Sequence, residues 1–248
     1  MANWSDPRSG ATRFAAASGT RSEAYDAGLR SYMLSVYNYM FSAILLTGLV
    51  AMFFSWGGAA SPAAHVFGSG GPLAWLIVFS PFAVVMAMSF GQASMSTGTL
   101  QALFWTYATL VGLSLSTVLL VYTGQSVAQA FFATSAAFAG LSLYGYTTKR
   151  DLTAMGTFLI MGLVGLIVAI ILNFFLHSGP LDLVISLIGV LIFAGLTSYH
   201  TQRTKSLYSY VAGTDDEQRV VIMSALSLYL DFINMFLFIL RLTGGNRN

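Results

Sequence analysis

One carboxylate stands where carboxylates rarely stand. Asp231 falls near the middle of an apolar run from Val220 to Leu242. An aspartate at such a position costs roughly 2.5–3.5 kcal/mol on membrane-insertion scales, so it needs a partner, a cavity or a proton. Its neighbours point to a cavity. Ser224, Ser227, Asp231 and Asn234 recur at steps of three and four, which places them on one face of a helix. Ile222, Leu226, Ile233, Leu237 and Leu240 cover the other side. The helix therefore reads as amphipathic inside a bilayer, with a polar stripe suited to line an ion or proton path. The plainer alternative is a protonated aspartate hydrogen-bonded to a neighbouring helix for packing alone.

The preceding apolar run supplies a partner. Ser186, Gly189, Thr197 and His200 share one helical face there, with His200 at its end. On spacing alone His200 also fits an ordinary interfacial histidine. His65 and His177 lie in or beside loops and are given no role. Three scattered histidines in a chain without cysteine argue against a zinc site, and no metal or cofactor is expected. Asn38 and Asn173 suit hydrogen bonds between helices. Asp182 sits at a helix start, where a carboxylate favours the helix dipole. Lys149, Arg150 and Asp151 read as a topology anchor with a capping aspartate. An intramembrane aspartyl protease would need a second deep aspartate. The Gly112–Leu113–Ser114 and Gly140–Leu141–Ser142 triplets only weakly echo an intramembrane serine protease. The chain is not expected to be an enzyme.

These residues must be held by membrane-spanning helices. Only 8% of the residues are charged, against 56% hydrophobic, and the mean hydropathy is +0.73. A soluble domain carries about 25% charged residues. With a bilayer as the surrounding medium, that surface charge is no longer required. The net charge of +2 forms no long basic run, so a nucleic-acid partner is not expected. With no cysteine there are no disulfides and no thiol chemistry.

A window of about 20 apolar residues finds seven spans, near 32–56, 73–90, 100–122, 127–146, 152–176, 181–199 and 220–242. Residues 1–30 read as a flexible cytoplasmic tail with no cleavable signal, and its Ser/Ala/Gly-rich stretch Ser9–Thr20 as disordered. Residues 31–248 read as one transmembrane domain. Lys and Arg gather in the N-terminal segment (Arg8, Arg13, Arg21, Arg30) and in the loops after spans four (Lys149, Arg150) and six (Arg203, Lys205, Arg219). The odd loops have none, which predicts a cytoplasmic N-terminus. The tail carrying Arg247 is outside if the seventh segment crosses and inside if it is re-entrant. Arg241 can snorkel to the nearer interface. Gly165 with Ala169, and Ala136 with Gly140, are small-xxx-small pairs that predict close helix packing.

Several segments together resemble the Bax inhibitor-1 family. They are Leu29–Met40 (LRSYMLSVYNYM), Tyr144–Leu152 (YGYTTKRDL), Gly162–Phe175 (GLVGLIVAIILNFF), Ala194–Lys205 (AGLTSYHTQRTK) and Leu228–Leu242 (LYLDFINMFLFILRL). The likeness runs from about Asp26 to the end, and the opening helix resembles bacterial members. The resemblance implies an all-α bundle of about seven transmembrane helices with the last helix central. It implies a pH-sensitive calcium leak in conducting members, inhibition of cell death in eukaryotic ones, and modulation of an ATP-dependent membrane protease by some bacterial ones. It also implies a bacterial inner-membrane location.

The family's pH sensor is a pair of aspartates, one at the end of helix six and one in the last helix. The second maps onto Asp231, but His200 stands at the place of the first. Calcium favours several oxygen ligands, so the exchange should weaken calcium binding. Two carboxylates would share a proton, whereas a histidine–aspartate pair attracts when both are charged. The expectation is a contact closed at mildly acidic pH and loosened as His200 loses its proton. Two functions then compete: a proton-gated cation leak lined by Asp231, Asn234, Ser227, Ser224 and Thr197, and a non-conducting regulator of a membrane protease or stress response.

Overall fold

The computed structural model describes residues 7–245, with side chains from Glu23 onward. Arg8, Arg13, Arg21 and Arg247 thus lie outside the described side chains. Among the described residues the chain forms eight α-helices and one 3₁₀ turn. They are α1 (Pro7–Phe54), the 3₁₀ turn Gly58–Ala60, α2 (Pro62–Gly68), α3 (Pro72–Gly91), α4 (Thr97–Val121), α5 (Gly124–Thr147), α6 (Thr153–Leu176), α7 (Gly179–Val211) and α8 (Glu217–Thr243). Seven of these are long and apolar enough to cross a membrane, the first from Glu23 to Phe54. The protein is an all-α membrane protein, as the hydropathy predicts.

Two boundaries differ from the sequence reading. As a backbone element, α1 includes the stretch Ser9–Thr20, where composition predicts disorder. Helix α7 does not stop at Tyr199 but continues to Val211. Residues 200–211 are polar yet contain no helix breaker until Gly213, which has φ +71°. His200 therefore sits within a helix rather than at its end.

Local chemistry explains where the helices start. Ser96, Thr123 and Ser178 accept hydrogen bonds from the backbone amide three residues on, at the starts of α4, α5 and α7. Asp151 caps the turn before α6, accepting from the Thr153 amide at 2.9 Å and the Thr153 hydroxyl at 2.6 Å.

The helices bury themselves very unequally. In α8, 67% of the span is buried, and it packs against α1, α4, α5 and α7. In α6 only 6% is buried, and α6 leans mainly on α7. Its exposed Phe158, Met161, Val164, Ile171 and Phe174 face the lipid.

Close approach uses other glycines than the small-xxx-small pairs. A Cβ on Gly165 or Gly140 would meet nothing within 4 Å, so neither marks a helix contact. A Cβ on Gly145 would lie 2.3 Å from the Ser198 carbonyl oxygen, and one on Gly189 would lie 2.6 Å from the Phe238 ring. These two let α5 touch α7 and let α7 touch α8. The small-xxx-small spacing records residue size but not the side of the helix on which the neighbour lies.

Candidate functional site

Asp231 lies on α8 and is 2% exposed. On a helix so deeply packed, its carboxylate cannot reach the headgroups. It reaches α7 instead: His200 Nδ1 stands 2.6 Å from Asp231 Oδ2. That is within hydrogen-bond distance, and which group donates depends on the tautomer of the ring. The face of α7 that carries His200 continues through buried Thr197, Gly189 and Ser186. Gly189 admits the Phe238 ring, which brings α7 and α8 close enough for the pair to form.

The pair borders a cavity of about 450 Å³ between α7, α8, α6 and α3. Ser227 and Asn234 line it as well, on the same stripe of α8 as Asp231. The Ser227 hydroxyl donates to the Met223 carbonyl at 3.1 Å, and the Asn234 amide nitrogen donates to the Leu230 carbonyl at 2.8 Å. The Ser227 hydroxyl proton and one of the two Asn234 amide protons are thus committed to their own helix, and the side-chain oxygens keep lone pairs for a cation or water. The rest of the wall is apolar, from Leu163 and Leu166 of α6 to Phe193 and Leu196 of α7. Among the described residues, no side chain lining the cavity besides His200 and Asp231 is titratable.

The structure therefore brings together four of the six candidate residues: His200, Asp231, Ser227 and Asn234. Thr197 and Ser224 are buried but do not line this cavity. Thr197 donates to the Phe193 carbonyl at 2.8 Å within its own helix. Asn38 is exposed, and Asn173 accepts from the Ser178 amide at 3.0 Å in the turn between α6 and α7. Neither joins two helices across the bundle. His177 has φ +49° and ends α6 in the left-handed conformation. Among the described residues no three histidine or acidic side chains converge.

Two further polar networks escaped the sequence reading. Thr47 on α1 donates to the Ala108 carbonyl on α4 at 2.9 Å and shares a 2.7 Å hydrogen bond with the Tyr229 hydroxyl on α8. This buried knot ties α8 to two neighbours. Gln202, on α7 just beyond His200, clamps the turn between α5 and α6. Its Oε1 accepts from the Leu152 amide at 2.8 Å, and its Nε2 donates to the Arg150 carbonyl at 2.7 Å. The only sequence signal for the clamp is the nearness of Gln202 to His200. A Thr or Tyr in an apolar run gives none.

Comparison with known proteins agrees with this architecture. Residues 29–248 match the family described as "Inhibitor of apoptosis-promoting Bax1". Protein RP147 of Rickettsia prowazekii is 46% identical, over 92% of this chain and 95% of its own length. A Caulobacter vibrioides protein is 45% identical, over 90% and 91% respectively. The inner membrane protein YbhL of Escherichia coli is 41% identical, over 89% of this chain and 94% of its own. With seven apolar helices of membrane-spanning length and a match across nearly all of them, this chain belongs to the Bax inhibitor-1 family of integral membrane proteins.

Proposed function

We propose that this protein is a proton-gated cation leak of a bacterial inner membrane, with the N-terminus in the cytoplasm and α8 as the axis of the bundle. It is not an enzyme. The observation that carries the reading is the 2.6 Å contact between His200 and Asp231 on the wall of an otherwise apolar cavity. With His200 protonated, the imidazolium and the carboxylate cancel, and their mutual attraction holds α7 against α8. Losing that proton leaves one net negative charge in an apolar cavity. An uncompensated charge in such a medium is strongly unfavourable. A cation from solution restores neutrality, aided by the oxygens of Ser227 and Asn234. Proton and cation thus compete for one site, and the leak opens as the pair gives up its proton.

The ion follows from the ligands. One carboxylate and neutral oxygens make a weak calcium site, because calcium prefers six to eight oxygens and more than one carboxylate. Potassium should therefore pass at least as readily as calcium, the cation associated with the family. Flux of both ions into proteoliposomes between about pH 5 and 8 tests this. We expect flux to rise with pH and to vanish with Asp231→Asn. A flux that persists unchanged in that variant would remove Asp231 from the path. No flux from well-folded protein would favour the regulator of a membrane protease or stress response.

A further inference from the structure

A second cavity is larger than the one beside Asp231. It encloses about 740 Å³ at the end of the bundle, where α1, the turn between α5 and α6, and α7 meet. Its composition is the reverse of the other's. Lys149 and Arg150 line it from the turn, and Lys205 from α7. Gln202, Lys205, Ser206 and Ser209 fall at helical spacing, so α7 presents one continuous polar face to it. Thr148 adds a hydroxyl from the turn, and Leu29 of α1 makes an apolar floor.

The charges in this cavity are not balanced among themselves. Among the described residues two carboxylates line it, Asp26 and Asp151, against three cations. Asp151 already accepts two hydrogen bonds from Thr153. Among the described residues neither Lys149 nor Arg150 forms an ion pair, although Asp151 is adjacent in sequence. Lys205 is pre-positioned: its Nζ donates to the Tyr146 carbonyl at 2.8 Å and rests 4.5 Å from the centre of the Tyr146 ring. An ammonium has three donors, so two remain for a ligand. The backbone of the turn is fixed by the Gln202 clamp, so its two cations stand on a rigid support. A rigid basic pocket with hydroxyls, at the edge of the bilayer, has the chemistry to hold a phosphate.

We infer that this cavity binds a phosphate-bearing anion through Lys149, Arg150 and Lys205. Anionic phospholipid headgroups are the source that its position favours. Soluble phosphate is the other source of the same chemistry. The site is independent of the leak, so its test does not involve flux.

The full-length protein is placed in nanodiscs of phosphatidylcholine with or without about 20% phosphatidylglycerol. Retained lipid is read by native mass spectrometry and thermal stability by scanning fluorimetry. A parallel arm titrates inorganic phosphate against the protein in uncharged detergent. The expected result is selective retention of phosphatidylglycerol. Lys149→Gln and Arg150→Gln should each reduce the preference about fivefold, the usual worth of one basic residue at an anionic membrane. Lys149→Arg with Arg150→Lys should preserve it and so controls for folding. Arg203→Gln, an exposed cation on α7 outside the cavity, should leave it unchanged. Stabilisation by inorganic phosphate that the Gln variants abolish would keep the anion site and assign it to the soluble source. A wild-type protein indifferent to both probes would overturn the proposal, as would an equal loss of preference with Arg203→Gln.

Discussion

Two acid–base contacts join α7 to α8, and they live in opposite surroundings. His200 and Asp231 meet at 2.6 Å with 18% and 2% of their side chains exposed. Asp182 and Arg241 stand 4.0 Å apart with 51% and 43% exposed. The same pair of helices thus carries one buried contact and one at the rim. In the exposed pair, water screens each charge whether or not its partner is present. In the buried pair, each group relies on the other, so removing one strands the other in an apolar wall. The difference separates a contact that can act as a latch from one that only decorates the surface.

The largest expected effect comes from breaking the buried pair on one side. His200→Ala or Asp231→Ala should cost about 3–5 kcal/mol, because an unpaired charge is left behind. The double variant His200→Leu/Asp231→Leu should recover most of that loss, since two apolar side chains suit the site. It should also abolish flux. Thermal unfolding in detergent, read beside flux, checks both. A double variant as unstable as the singles would mean that the pair is not a self-contained unit.

Gln202→Ala should have a smaller effect, about 1–2 kcal/mol, through the loss of two hydrogen bonds to the turn between α5 and α6. Hydrogen exchange at the Leu152 amide should speed up in that variant. Unchanged exchange there would show that the clamp is not what protects the turn.

Arg241→Gln should cost less than about 1 kcal/mol and fade as salt rises. Stability measured at low and high ionic strength decides this. A loss as large as that of His200→Ala would erase the contrast between the two contacts.

The smallest effect concerns pH. Hydrogen bonds from the Thr153 hydroxyl and amide hold the Asp151 carboxyl below the ordinary carboxylate range. A carboxylate depressed by folding stabilises the native state above its unfolded value and loses that contribution as pH falls through the lower, folded value. Asp151 therefore contributes fully at pH 5 to 8 and does not account for a pH response there. Asp151→Ala should be less stable than wild type at neutral pH, with the gap closing only in stronger acid.

Seven spans were legible because a bilayer demands long apolar runs, and Asp231 was legible because nothing polar is expected inside one. The step of three and four placed Ser227 and Asn234 beside it, and the cavity holds both. The same periodicity also selected Ser224 and Thr197, which do not line it. A stripe defined by spacing spans a wide arc, and only the neighbouring helices decide which part opens onto a void. The reach of α7 to Val211 was hidden because hydropathy reports the bilayer boundary, while the helix itself runs on until the turn at Gly213. Thr47 and Tyr229 were invisible for a different reason. Their hydrogen bond crosses from α1 to α8, and no local pattern encodes such a distant pairing.

The most direct test of a proton-held latch is the protonation of His200 itself. Nitrogen NMR of imidazole-labelled protein in bilayers can follow the three histidines as pH is raised, with His200→Ala assigning the signal. The account predicts that His200 loses its proton over the same pH range in which flux appears, and that Asp231→Asn shifts that loss to lower pH. Flux that rises while His200 stays in one protonation state would contradict it.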